Sequence, residues 1–203
     1  MSIVKQRVEK VKKYRMASKR EATKKLADFP TQFGENRQPK TDYVLIPRHS
    51  SENREYVPFG FFNPNYIVSD SCLCIPSANL YEFGIISSKM HMTWMRYVCG
   101  RLKGDYRYSA SIVYNNFPFP TNISEKNKNK IINDAQTILD VREKYSDESL
   151  ANLYDPLSMP PELKKAHLNL DKSVDKTYRS KKFKDDNDRM KLLFNLYLDY
   201  TSE

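Results

Sequence analysis

Glycine is scarce in this chain, with five in 203 residues. Neither G-x-G-x-x-G nor G-x-x-x-x-G-K-[ST] occurs, which removes the loops whose glycines let a backbone close around phosphates. The G-x-S-x-G turn that presents a nucleophilic serine is missing too. Cysteine is equally sparse: Cys72, Cys74 and Cys99 are too few to staple a chain of this size, and Cys72-x-Cys74 reads as two inward-facing positions of one strand. His49, His91 and His167 stand far apart and form no zinc-ligand spacing. No apolar run approaches the roughly 18 residues of a membrane-spanning helix. The opening MSIVKQRVEKVKKYR is charged throughout and lacks the apolar stretch of a secretory signal, so the expectation is a cytoplasmic protein with no membrane partner.

What the chain has instead is basic charge, unevenly placed. Residues 1–120 hold 19 Lys and Arg against 10 Asp and Glu, whereas residues 121–203 hold 15 against 15, so the whole excess of +9 lies in the first part. Such asymmetry suits one domain that faces a polyanion and another that needs only solubility. The length and a hydrophobic content of 39% allow a real buried core.

Periodicity divides the chain at the same place. Residues 3–26 read as a basic helix with Val4, Val8 and Val11 on one face, followed by a helical piece with Ser18 as N-cap and Glu21 completing a capping box. From Thr41 to Pro76 the pattern turns to short strand-like runs, DYVLIP, EYVPFGFF, NYIV and SCLCIP. NLYEFGIISSKMHMTWMRYVCG reads as helix up to Gly100. Beyond Pro120 three helices are expected. Ser124 caps the first, Pro160-Pro161 opens the second with Leu163, His167, Leu170 and Val174 on one stripe, and the third starts near Asp185 and aligns Met190, Leu193, Phe194 and Tyr197. The fold class is therefore α+β. A small mixed-sheet domain with a basic entry helix spans 1–120, and a helical domain spans 121–203. Asp155 with Glu162-Leu163-Lys164 imitates the D…E-x-K pattern of metal-dependent nucleases, but Pro160-Pro161 puts Glu162 in a first helical turn, where a carboxylate complements the helix dipole. It is a decoy.

The stretch GRLKGDYRYSASIVYNNFPFP, Gly100 to Pro120, mixes Arg101, Lys103, Asp105 and Arg107 with Tyr106, Tyr108, Tyr114, Phe117 and Phe119. Guanine presents O6 and N7 acceptors in the major groove, which Lys or Arg satisfies, and its paired cytosine presents an N4 donor, which Asp accepts. Lys103 and Asp105, two apart, would share one face of an extended segment and read one G·C pair from both sides, with Arg107 continuing that face. The aromatic rings would pack beneath. Spacing alone leaves open an i, i+2 surface ion pair of little consequence.

TDYVLIPRHSSENREYVPFGF, MHMTWMRYVCGRLKGDYRYSASIVYNNFPFP and LANLYDPLSMPPELKKAHLNLDKSVD together resemble the C-terminal part of MmeI-like (type IIL, a branch of type IIG) restriction–modification enzymes, and the resemblance covers essentially the whole chain. These are single-chain fusions of an endonuclease, an adenine-N6 DNA methyltransferase and a target recognition domain. The resemblance implies a sequence-specific double-stranded DNA recognition domain with a C-terminal helical segment. This stretch would catalyse nothing alone, since the methyltransferase motif Asn-Pro-Pro-Tyr is absent from it. A parent enzyme would use S-adenosylmethionine and magnesium in a bacterial or archaeal cell, with its methyltransferase domain as a partner in the same chain. The resemblance also marks base-reading positions: Lys103 with Asp105, Arg107, and a second group of Arg48, Asp70 and Ser71. Arg54, Arg101, Tyr106 and Tyr108 are the candidates for phosphate contact or support. Two other readings stay open, an RNA or single-strand binder stacking bases on Tyr106 and Tyr108, and a structural module docking on an acidic protein.

Overall fold

The computed structural model describes residues 2–202. It divides into two compact units, residues 1–38 and residues 39–203. In the first, helix α1 (Ile3–Met16) starts where Ser2 Oγ accepts from the Lys5 amide, and its valine stripe stays outside: Val4 is 70% exposed. Helix α2 (Glu21–Lys25) and a 3-10 turn (Leu26–Asp28) follow. The expected capping box does not form. Ser18 Oγ accepts from the Arg20 amide and Arg20 takes the N-cap position without a side-chain bond. Arg15 holds this unit together, its guanidinium donating to the carbonyls of Leu26, Phe29 and Gln32 at 2.9, 2.8 and 2.7 Å.

In the second unit the expected mixed sheet resolves into two three-stranded antiparallel sheets. The first places β1 (Tyr43–Pro47) between β3 (Gly60–Phe62) and β4 (Cys72–Pro76), with Val44 opposite Phe61 and Ile75. NYIV forms no strand, because both edges of β1 are already occupied; Tyr66 lies in a turn and its carbonyl accepts from Tyr43 Oη at 2.6 Å. The second sheet runs β2 (His49–Ser50), β6 (Asp105–Arg107), β5 (Gly100–Leu102). Parallel pairing would need a crossover of about a dozen residues or more, and the β5–β6 connection has only Lys103 and Gly104.

The long helical reading before Gly100 breaks in two, α3 (Leu80–Ile86) and α4 (Lys89–Val98). Asn79 and Glu82 form a capping box at the start of α3. Ser88 gives α4 no side-chain cap; Asp171 from a distant helix accepts from the Lys89 amide at 2.6 Å instead. A π-turn (Ala110–Tyr114) leads into the C-terminal helices α5 (Glu125–Glu143), α6 (Leu150–Leu153), α7 (Pro161–Tyr178) and α8 (Asp186–Thr201). As the spacing suggests, Ser124 caps α5 and α7 buries Leu163, His167, Leu170 and Val174. One core runs through the whole second unit, from Val44, Ile46 and Phe59 through Trp94 and Met95 to Ile138, Leu170 and Leu193. At Gly84, α3 presses so close to α5 that a Cβ would stand 2.7 Å from Ile131 Cγ2.

Buried polar groups stitch the sheets to these helices. Arg142 donates to the Phe59 carbonyl at 2.7 Å and to Tyr154 Oη, which also hydrogen-bonds His167 Nε2 at 2.7 Å. Tyr56 Oη donates to Asp171 at 2.7 Å and its ring stacks on His167 at 4.1 Å.

Candidate nucleic-acid interface

The second sheet creates the site. Along β6, Asp105 and Arg107 are exposed while Tyr106 between them is 5% exposed, the alternation that a two-faced strand imposes. The inward side packs on the core: Tyr108 is 3% exposed, meets Phe59 edge-on, and its hydroxyl hydrogen-bonds the buried His91 Nε2 at 2.9 Å. Burial pushes the Tyr108 phenol well above its ordinary pKa, so it is a neutral hydroxyl. Tyr106 and Tyr108 therefore support the charged face from below, and neither ring is open for a base to stack on. The single-strand reading loses its platforms.

Lys103 corrects the spacing argument. It sits with Gly104 in the two-residue turn joining β5 to β6, and both have left-handed backbones, φ 53° and 97°. A turn with both central residues at positive φ is the hairpin type whose twist matches the strands. Lys103 thus leaves from the hairpin tip and Asp105 from the first strand position; they do not share an extended face. Both are exposed, and the ammonium makes no hydrogen bond or ion pair with any described residue.

The second expected group assembles around Arg48. Its amide donates to the Ser71 carbonyl and its Nε to the Asp70 carbonyl, each at 3.0 Å, so the Asp70–Ser71 turn is clamped against it. That bond uses Nε alone and leaves the two terminal nitrogens without a partner among the described residues, able to donate as a pair. Ser71 Oγ is shared with Ser69 Oγ at 2.9 Å. The Arg48 carbonyl accepts from the Tyr108 amide at 2.8 Å, directly after Arg107. Arg48 accordingly links the two sheets, its main chain bonding both the Asp70–Ser71 turn and Tyr108 beside Arg107, and Asp70, Ser71, Arg107, Asp105 and Lys103 are all exposed.

Two of the residues expected to contact phosphate or give support, Arg54 and Arg101, are tied within the protein. Arg54 is half-buried, with Nη2 donating to the Ala151 carbonyl at 3.4 Å, so it ties the loop after β2 to α6. Arg101 lies over the Tyr106 ring at 4.2 Å and donates to the Gly104 carbonyl at 2.9 Å. Two residues join the surface that the sequence did not single out. His49 is exposed and pairs with Arg107 across β2 and β6, which puts it beside that exposed arginine. The signal was available in Arg48-His49-Ser50, where the small Ser50 turns inward. Glu52 contacts the hairpin through its amide, carbonyl and carboxylate; its partners Asp105, Tyr106 and Arg101 lie 49 to 54 positions away, beyond any local pattern. The nuclease decoy scatters: Glu162 is held by Lys144 and Tyr145, and Lys164 reaches Glu55.

Comparison with known proteins follows these features closely. Residues 1–121 match the family model described as MmeI, target recognition domain, and residues 123–203 match that described as MmeI, C-terminal domain. The curated DNA methyltransferase A of Bacillus subtilis (strain 168) is 41% identical over 199 residues, 98% of this chain and 22% of that protein. A solved structure of the type IIL restriction–modification enzyme MmeI in complex with DNA superposes with a TM-score of 0.91 at 46% identity, covering all of this chain and 27% of that one. The chain thus spans about a quarter of the length of each.

Proposed function

The chain belongs to the MmeI family of target recognition domains, and from that premise we propose that it reads double-stranded DNA sequence for a restriction–modification enzyme. The observation that supports this reading is Arg48 as link: its main chain bonds both the Asp70–Ser71 turn and Tyr108, the residue after β6, which ties the two sets of acid and base together above the buried Tyr106 and Tyr108 rings. Lys103, Arg48 and Arg107 are the guanine readers, Asp105 and Asp70 accept from cytosine N4, and Ser71 adds a small donor and acceptor. The basic residues of 1–38 supply contacts to phosphate, which position without specifying. By reading the duplex, the domain places an adenine for extrusion into a methyltransferase pocket. In a parent enzyme S-adenosylmethionine would serve the methyltransferase and magnesium the endonuclease, and no step of recognition runs through either. The division into a recognition domain, 1–120, and a helical domain, 121–203, belongs to this reading, as does a cytoplasmic place of action; among the described residues no helix is long and apolar enough to cross a membrane.

The test is an exchange. Lys103→Glu with Asp105→Arg, made in the full-length polypeptide that carries this chain, changes the preferred base pair at one position of the target while general duplex affinity survives. Mapping methylated adenines by sequencing reads the outcome directly. An unchanged target would remove Lys103 and Asp105 from the reading set.

A further inference from the structure

Asp105 is held unlike the other readers. Its Oδ1 accepts from the Glu52 amide at 3.2 Å, which commits one carboxylate oxygen to the main chain and leaves the other, on an exposed residue, without a partner among the described residues. Glu52 is itself held against the same hairpin. Its carbonyl accepts from Tyr106 Oη at 3.4 Å, and its Oε2 lies 3.5 Å from Arg101 Nη1. Arg101 closes the loop, donating Nη1 to the Gly104 carbonyl at 2.9 Å and Nη2 to the Arg96 carbonyl at 3.3 Å. Gly104 fits between: a Cβ there would meet Glu52 Oε1 at 3.2 Å. All of these bonds but the one to Arg96, in α4, close within the hairpin or between it and Glu52, and none uses the Lys103 ammonium.

We propose that Glu52 and Arg101 are positioning residues for base reading, a strut that sets the hairpin tip and aims the free oxygen of Asp105 at cytosine N4. The inference rests on the reading of Lys103 and Asp105 given above. Its physical basis is preorganisation. A carboxylate free to rotate can accept from water or from several neighbouring bases, whereas one pinned through Oδ1 offers a single acceptor direction, and discrimination depends on that direction being fixed before DNA arrives. The reader pair is thus asymmetric, with a fixed acceptor for cytosine and a long, unrestrained donor for guanine.

The test uses the full-length polypeptide and a panel of duplexes differing at one base pair. The 103/105 exchange first identifies the base pair these residues read. Glu52→Gln, Arg101→Gln and the double variant then bind the panel at several salt concentrations. Each single variant lowers discrimination at that base pair about tenfold, the size of one well-placed base contact. Discrimination elsewhere and the salt slope hold, and the double variant is no worse than either single one, because both act through one strut. Arg101→Lys behaves like Arg101→Gln, since an ammonium cannot span the Gly104 and Arg96 carbonyls as the guanidinium fork does. Rescue by Arg101→Lys would reduce the effect to charge and overturn the strut. A uniform loss on all duplexes, with the salt slope reduced by about one, would make Arg101 a phosphate contact and overturn it too. If the exchange shifts the target while the Glu52 and Arg101 variants keep full discrimination, only the strut fails; if the exchange itself shifts nothing, the reading of the site fails and the strut with it.

Discussion

Lys103 illustrates how a position proposed to read a base can cost stability. An L-residue in the left-handed region costs about 1 kcal/mol, and Asn bears it better than Lys because its short polar side chain bonds locally. Asn-Gly is the preferred pair for this turn, yet the chain places Lys103 before Gly104 at φ 53°. Strain of this kind persists where the side chain has a task. Lys103→Asn should therefore raise unfolding stability by about 0.5–1 kcal/mol while broadening the base preference at its position; thermal melts and binding-site selection on the same variant check both halves. The sequence displayed the relevant residues here and misled about their geometry. Lys103 and Asp105 were legible as a charged pair, but a spacing of two suggests a shared strand face only when no turn intervenes, and Gly104 was the sign of one.

Among the elements, α5 and α7 were legible because their apolar stripes run at helical spacing over 19 and 18 residues. Strands β2 and β5, of two and three residues, are too short to establish any alternation, so the second sheet appears only in three dimensions. The break between α3 and α4 was hidden for another reason: its cap is Asp171, 82 positions away. The same holds for Arg142, whose guanidinium joins the Phe59 carbonyl at the start of β3 to Tyr154 and, through it, to His167. Arg142→Met keeps much of the apolar stem, leaves the buried Phe59 carbonyl without its donor and removes one of the two partners of Tyr154 Oη, so urea unfolding should show a loss of about 2–3 kcal/mol with an unchanged denaturant slope.

Across the molecule, charge and titration follow the two units. Residues 1–38 hold 11 Lys and Arg against 4 Asp and Glu, a net of +7, leaving +2 of the total of +9 for residues 39–203. The composition thus pointed to the front of the chain, and most of the excess lies in its first unit. The core of the second unit makes it acid-sensitive. Burial pushes His91 down from 6.5 to about 3 and His167 well below its usual value, so unfolding takes up a proton at each once pH falls below 6.5. Asp171 works the other way: burial raises it from 3.8 to about 6, so in that window the folded state keeps a proton that the unfolded chain releases. Two protons gained against one lost leave a net loss of stability of about 1.4 kcal/mol per pH unit as pH falls through the window. Asp171→Asn removes the opposing group and should roughly double that slope in urea midpoints measured across it. The continuous interior of this unit also bears on how specificity could be moved between relatives. Because the proposed reading surface and the C-terminal helices grow from one hydrophobic mass, a graft cut after Pro120 would strip the donor piece of its backing; the transferable cassette is residues 39–203 taken whole.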